Sequence, residues 1–497
     1  MPENNNSFRN IVKSTTVVGG AQVIQMVITI LRAKIVAVLL GSAGMGIIAL
    51  IQSAIFTIQQ FTNFGIFQSG VRELSQAAQD KDPHKLSLLY KVFVRLGVIV
   101  GLLGIVVCAA GAPLLSRFAF SNPDYTWSFV FVSVSLLLMS LSNTSVVWMQ
   151  ATRHLKSLAK SSLLGAALSL GIAIPIFYFL REDGIVPSIV GGYLALFLVN
   201  GYFARKIKTV PVPAPTVSQV TKLGTPIVKL GVVLMLSNSI LTFLVFLLNS
   251  FIRRYGSIDD VGFYQAALSI CVQGMVVVNA TLAADYFPRL SAVHQDQEKV
   301  RQMSSQQAEL ITFIMGPFSV LLIIFAPFVV TLLLAEEFRV IIPMLRWMSL
   351  ALLFRGLWNV LGFIILAKGD KKTFLYYDAI IGHGMNFVLN CIGYYFWGLN
   401  GLAITYLVGS ILMCAVLIVV IRVKYDIHLT GGYFKIMGLY AAISAAAMLT
   451  VWFLSGFYYY ACIVALVAFS LIFTLRQLDR RMGLAALIRS RFKNTPR

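Results

Sequence analysis

The chain has 497 residues, of which 58% are hydrophobic and 12% charged. A soluble domain carries about twice that charge and could not hide so much apolar surface, so the composition excludes a soluble fold and implies an integral membrane protein. Lys and Arg outnumber Asp and Glu by 40 to 19; in so hydrophobic a chain the excess reads as cationic cytoplasmic loops and not as nucleic-acid binding.

The opening MPENNNSFRN is polar, and no small-residue cleavage site follows it, so no signal peptide is expected. At about 20 apolar residues per crossing, helices are predicted at 12–40, 44–70, 92–118, 127–150, 161–180 and 186–204. A polar, Pro-rich connector follows, RKIKTVPVPAPTVSQVTK at 205–222. Spans resume at 227–252, 261–285, 310–335, 344–367, 375–397, 399–421, 437–455 and 458–475. The expectation is an all-α membrane protein of about fourteen spans. Gly65, Pro175, Gly274, Pro317 and Pro327 fall inside spans, where neighbouring helices re-satisfy the backbone. Basic residues gather at 72–91, 153–160, 205–222, 289–301, 368–372, 422–435 and 476–497, whereas 122–125, 399–401 and 455–457 carry none. That asymmetry puts both termini in the cytoplasm and requires an even number of spans. Cys108, Cys271, Cys391, Cys414 and Cys462 lie in apolar runs without CxxC or His pairing, so they read as inert thiols and not as metal ligands or disulfides.

The two sides of the connector echo each other. LLGSAGMGIIALIQ at 39–52 resembles RYGSIDDVGFYQ at 254–265, and the helices that follow end in GVRELSQA and FPRLSAV. YFLREDGIVPSIVGGYLALFL at 178–198 resembles YYFWGLNGLAITYLVGSIL at 394–412. The offset is about 215 residues, or six spans, and an even number keeps direction, so the halves are expected to be parallel repeats.

Polar residues inside the spans form stripes. Gln22, Gln25, Thr29 and Arg32 share one helix face, as do Asn238, Thr242, Asn249 and Arg253. The second span carries Gln52, Gln59 and Asn63, the eighth Gln265, Ser269 and Gln273, and the tenth Arg355 one turn before Asn359. The eleventh carries His383, Asn386 and Asn390, with Asp378 nearer its cytoplasmic end. A single amide often only binds helices together. Stripes that end in Arg and recur in both halves predict a wet cavity between two bundles. Arg32, Lys34 and Arg355 are expected to face it, with Arg253 at its outer mouth; for Lys34 the alternative is snorkelling to the interface. Fixed cations in such a cavity select an anion, and guanidinium grips phosphate bidentately. Asp285 and Arg289, spaced i,i+4, are expected to pair. Asp378, His383 and Asp285 are the candidates for coupling to H+ or Na+.

No GxSxG, P-loop or HExxH motif is present, so neither an enzyme nor a metal or organic cofactor is expected. Asp259, Asp260, Glu336 and Glu337 are scattered outside the spans.

RAKIVAVLLGSAGMGI at 32–47, GIFQSGVRELSQ at 65–76, VGFYQAALSI and YFPRLSAV together resemble the Wzx-type polysaccharide flippases. These belong to the multidrug/oligosaccharidyl-lipid/polysaccharide exporter (MOP) superfamily, and the resemblance covers roughly the first 425 residues. It implies two six-helix lobes in a V, here 1–204 and 227–425 joined by a linker at 205–226. A C-terminal helix pair and basic tail, 426–497, depart from twelve-span members; in fourteen-span relatives such a pair holds a lipid tail. The implied activity is alternating-access transfer of undecaprenyl-pyrophosphate-linked O-antigen or exopolysaccharide units from the cytoplasmic to the periplasmic leaflet of the bacterial inner membrane. Lys34 matches a basic family position, and Arg355 resembles one in the tenth helix. Implied partners are that lipid-linked oligosaccharide, membrane lipids, a polysaccharide polymerase and a chain-length regulator, without nucleic acid. Two alternatives stand beside this reading. A multidrug antiporter of the same architecture would want an acidic, aromatic cavity. A membrane polymerase or ligase would want a large periplasmic loop, and the outward loops here are short.

Overall fold

In lipid each backbone N–H and C=O must find its partner inside the segment, which leaves helices as the way for these apolar runs to cross. The computed structural model describes residues 3–80 and 82–482; the side chains of 3–19 and of some later positions, Gln22 and Asp378 among them, lie outside that description. Its helices are α1 (Glu3–Thr62), α2 (Ile66–Gln79), α3 (Pro83–Phe120), α4 (Thr126–Val132), α5 (Val134–Ala151), α6 (Leu155–Leu180), α7 (Ile185–Arg205) and α8 (Val217–Tyr255). They continue with α9 (Ile258–Thr281), α10 (Phe287–Ala292), α11 (Gln297–Leu333), α12 (Ile342–Ala367), the single turn α13 (Lys371–Thr373), α14 (Gly384–Tyr425), α15 (Gly431–Phe453) and α16 (Gly456–Met482).

Among the described residues nine helical stretches are long and apolar enough to cross a membrane. Three of these, Val23–Thr62, Leu155–Arg205 and Phe374–Tyr425, run to 40, 51 and 52 residues. Straight helices of that length would reach about 60–78 Å, twice a hydrocarbon core of about 30 Å, so each holds two crossings. They divide at Gly41 (φ 67°), at the 3-10 turn Arg181–Gly184 and at Gly398 (φ 58°). With α8 and α9 the crossings number fourteen, as the apolar runs predict. Several boundaries differ from the sequence expectation; α3 and α11, for example, start nine and thirteen residues before their apolar runs. The second crossing stops at Thr62, because Phe64 and Gly65 both take positive φ, and α2 restarts as an amphipathic helix. Helix α8 begins at Val217, ten residues before the apolar run, under a Thr216–Gln219 capping box.

The chain packs as two compact units, Met1–Gln265 with Leu333–Glu337, and Ala266–Leu332 with Phe338–Arg497. The division falls within α9 and not at the Pro-rich connector, because α8 lies along α1, α2 and α3. The connector itself is strapped to α3: the Lys91 ammonium and the Arg95 guanidinium donate to the Val212 and Pro215 carbonyls, and the Val210 amide donates to Ser87 Oγ at 3.0 Å.

Within the first unit the paired Gly-Ser corners of the repeat meet. A methyl on Gly46 would sit 2.1 Å from the Ile258 carbonyl oxygen, and one on Gly262 1.9 Å from that of Ser42. The two contacts are images of each other under the repeat offset. Asp259 and Glu337, scattered in the sequence, converge here: Ser42 Oγ donates to Asp259 at 2.6 Å and the Ser42 amide to Glu337 at 2.8 Å.

The second echo also recurs as contact. Gly184 backs onto the Ile176 carbonyl and Gly192 onto Ser169; in the other unit Gly401 backs onto the Gly393 carbonyl and Gly409 onto Asn386. Arg181 (φ 49°, ψ −128°) and Gly398 (φ 58°, ψ −141°) share one unusual backbone conformation at matched positions. In the second unit α15 packs on α12 and α16 on α15. The loop after α12 is fastened to the end of α14: Asp370 accepts from Lys424 at 2.6 Å, from Tyr425 at 2.9 Å and from the Thr373 amide at 3.0 Å.

Two outcomes follow for stability. A side chain at Gly46 or Gly262 must push apart two backbones, so G46V and G262V should each cost about 1–3 kcal/mol, read as a lowered melting temperature in detergent. G438A, with nothing within 4 Å, should be neutral or stabilising. The Lys424 hydrogen bond, ahead of those from Thr373 and Tyr425, holds the Asp370 carboxyl far below the usual carboxylate range. A depressed folded-state pKa gives stability that is whole above the unfolded value of about 3.9 and is lost as pH falls below it. D370N should therefore melt earlier than the parent at pH 7, and the gap should close as the pH falls below 4.

Candidate functional site

The polar stripe on the second arm of α1 opens on a cavity of about 370 Å³ in the first unit. Gln59 and Asn63 of that stripe line it, together with Gln60, Gln68 from α2, Asn143 and Gln150 from α5, and Thr242 from α8. Phe56 and Phe67 supply apolar faces. Gln59 Nε2 is buried without a hydrogen-bond partner among the described residues. Asn63 has structural duties as well: its Oδ1 accepts from the Gly65 amide at 2.6 Å and its Nδ2 donates to Gln60 at 3.1 Å, which sets the turn into α2. The Thr57 hydroxyl donates to the Thr242 carbonyl at 3.0 Å and fixes α8 beside this arm. Each amide offers both donors and acceptors, so six of them around one cavity suit a ligand rich in hydroxyls.

On the first arm of α1, Arg32 is half-buried, with the Tyr193 phenol on α7 as its electrostatic neighbour. Lys34 is half-buried and engaged by a neighbour, and Gln25 is exposed. Arg253, near the end of α8, lies by Tyr125; its Nε is buried without a hydrogen-bond partner among the described residues. Gln52 is half-buried and Asn238 exposed, and neither lines the amide cavity.

In the second unit the Arg355 guanidinium lies 4.7 Å from the Tyr406 ring centroid and 5.2 Å from that of Trp358. The His383 imidazole lies 5.8 Å from the same indole, at the end of a π-helical segment, Phe374–His383; such π turns recur at functional sites. Asn359, one turn beyond Arg355, donates to Asn279 Oδ1 at 2.6 Å. Gln273 is half-buried on α9. Asn386 and Asn390 serve packing: Asn386 donates to the Gly382 carbonyl and Asn390 accepts from Thr405. Asp285 and Arg289 form the expected local pair at 2.5 Å, both exposed. The Asp378 side chain lies outside the described residues.

Among the described residues no carboxylate pairs with Arg32, Arg253 or Arg355. Arg355 is instead stabilised by aromatic faces, worth about 0.5–2 kcal/mol, which leave its charge in place. The sequence reading missed Gln60, Gln68, Asn143 and Gln150. The last two carried a signal, since a spacing of seven places them on one face of α5.

A family profile described as polysaccharide biosynthesis protein matches residues 35–343. The lipid III flippase of Escherichia coli K12 is 22% identical over 353 residues, 70% of this chain and 82% of that protein. The lipopolysaccharide biosynthesis protein WzxC of the same organism is 23% identical over 383 residues, 74% of this chain and 72% of that protein. Among solved structures, an inward-facing MATE multidrug transporter of the MOP superfamily superposes with a TM-score of 0.71 at 16% identity, over 83% of this chain and 96% of that one. The lipid II flippase MurJ, inward closed, gives 0.67 at 13% identity over 95% of this chain and 99% of that one. At these identities the solved structures establish the fold.

Loss of the Tyr406 ring in Y406L should cost about 0.5–2 kcal/mol, seen as an earlier thermal transition in detergent. Y406F keeps the ring and should stay within about 0.5 kcal/mol of the parent; equal losses in the two variants would assign the effect to the hydroxyl.

Proposed function

The chain belongs to the polysaccharide biosynthesis protein family, and on that premise we propose that it flips undecaprenyl-pyrophosphate-linked oligosaccharide units from the cytoplasmic to the periplasmic leaflet of a bacterial inner membrane. The observation that carries this reading is that, among the described residues, Arg32, Arg253 and Arg355 have no carboxylate partner. Arg32 and Arg355 keep their charge inside an apolar chain, and that charge is of use only to an anion. A diphosphate headgroup offers two adjacent anionic centres to such groups, which bind phosphate bidentately.

In this mechanism the diphosphate is gripped by fixed cations, for which Arg32 and Lys34 of the first unit and Arg355 of the second are the candidates. Gln59, Asn63 and the neighbouring amides exchange hydrogen bonds with sugar hydroxyls, with Phe56 and Phe67 as apolar walls. The polyprenyl tail stays in the lipid. Alternating access then presents the headgroup to the opposite side, with H+ or Na+ resetting the carrier; His383, near Arg355, and Asp378 are the groups proposed to sense that ion. Both termini lie in the cytoplasm, as the basic loops imply. A polymerase and a chain-length regulator then act on the delivered units. Relatives named for lipid III and lipopolysaccharide support the substrate class. The MATE-like fold alone does not favour drug export, since a lipophilic cation would be repelled by these arginines.

The test is genetic and chemical. R32A and R355A should each reduce surface polysaccharide more than tenfold at normal protein levels, with single lipid-linked repeat units accumulating on the cytoplasmic face. R355K, which keeps charge but not the bidentate fork, should retain partial activity. Normal polymer in both alanine strains would remove the diphosphate grip from the mechanism. A D378N/H383A double variant with full gradient-dependent flux in liposomes would remove the coupling assignment.

A further inference from the structure

A second cavity, of about 530 Å³, lies within the second unit, away from the Arg355 cluster. Two guanidiniums from distant parts of the sequence line it, Arg289 of α10 and Arg481 of α16. Each is anchored from one side. Arg289 pairs with Asp285 at 2.5 Å. Arg481 pairs with Glu309 of α11, a carboxylate buried in the helix packing, and its guanidinium lies 5.4 Å from the Phe313 ring centroid. A guanidinium has five N–H donors in a planar fork, so one carboxylate fixes its direction and leaves donors for a second anion. Gln306 and Gln307 add amides to the wall, while Leu310, Phe313 and Leu478 form its apolar part. Leu478 continues a stripe along α16, Val464, Leu471 and Leu475, all exposed and at helical spacing on one face.

The geometry points to a binding site for an anionic glycerophospholipid: its phosphate lies against Arg289 and Arg481, and an acyl chain follows the leucine stripe of α16. The combination of a cationic rim and an apolar track suits an amphiphile and not a free ion. Glu309 is then a positioning residue. It is buried where no ligand needs it, and its effect is to aim Arg481 at the cavity. Asp285 opposes the ligand, which gives the site a signature of its own.

The experiment uses delipidated full-length protein in detergent, titrated with dioleoyl phosphatidylglycerol, dioleoyl phosphatidylcholine or inorganic phosphate and followed by thermal unfolding and native mass spectrometry. No transport substrate is needed, so the result is independent of the proposed flipping activity. Phosphatidylglycerol should raise the melting temperature by several degrees and remain bound in the gas phase; phosphatidylcholine and phosphate should do neither. R289Q should weaken phosphatidylglycerol at least tenfold. R481Q alone leaves Glu309 buried and unpaired, so the E309Q/R481Q double variant serves as the folded control and should lose the lipid equally. D285N should bind more tightly than the parent. Equal shifts with the two lipids, or an unchanged phosphatidylglycerol response in both R289Q and E309Q/R481Q, would overturn the site. Displacement of phosphatidylglycerol by equimolar polyprenyl diphosphate would assign the cavity to that lipid instead and overturn the phospholipid assignment.

Discussion

A guanidinium placed among hydrocarbon chains stays charged, and something must replace the water it has lost. Even the mildest scales put the cost at about 2.5–3.5 kcal/mol for an arginine at mid-membrane. A carboxylate partner would meet that cost but would also cancel the field the charge projects. Arg355 takes the other course. Tyr406 and Trp358 give it the negative faces of two rings, which lower the cost without neutralising the cation. Among the described residues Arg32 has a phenol, and no acid, as its electrostatic neighbour. The anion selectivity proposed for this chain depends on that choice, because a carboxylate at either position would weaken the net attraction for a multiply charged substrate.

Positioning such groups needs a stiff scaffold, and the scaffold shows where the internal repeat is strict. Helices in lipid have no hydrophobic effect to drive them together, so they associate through close backbone packing at small residues. The repeat is tightest at those places. The Gly46 and Gly262 contacts mirror each other, and Gly184 and Gly192 meet Ile176 and Ser169 as Gly401 and Gly409 meet Gly393 and Asn386. Elsewhere the halves have diverged. Where one half sets Gly398 in a left-handed conformation, the other puts Arg181 there, a strained choice for a residue with a Cβ, and its side chain reaches the Leu39 carbonyl at 3.1 Å.

Much of this was legible in the sequence, and the limits were physical. The fourteen crossings follow from apolar runs, since immersion in lipid is what hydropathy measures. Helicity outside lipid is a different property. The polar α2 and the first ten residues of α8 were therefore invisible to it, and the 44–70 span ran through the break that Phe64 and Gly65 impose. Two of the cavity's six amides were readable, because Gln59 and Asn63 form a stripe on one helix; Gln68, Asn143 and Gln150 arrive from other helices, and only packing brings them there. Periodicity also could not separate amides that face a cavity from amides that hold a turn or a helix pair. Asn386 and Asn390 belong to the latter kind and Asn63 to both. The pairing of Asp285 with Arg289 was predictable because it is local. Glu309 and Arg481 lie 172 positions apart, and no spacing rule joins them.

The cations of this chain thus divide by what neutralises them. Those that pair with acids fasten elements: Lys424 with Asp370 holds a loop to a helix end, and Arg481 with Glu309 joins α16 to α11. Among the described residues Arg32 and Arg355 of the proposed transport path have no acid partner, and Arg355 stands against aromatic rings. In the first class the partner is permanent, and loss of either member leaves a charge stranded in poor solvent. In the second the partner must come and go, so the protein has to tolerate the empty state unaided. Aromatic faces suit that need, since they stabilise the cation at all times and yield to an anion that binds more strongly. A carrier that must release its cargo on the far side benefits from such incomplete compensation, because a carboxylate at each cation would weaken the pull on a diphosphate, and a cation without any compensation would hold it too tightly to let go.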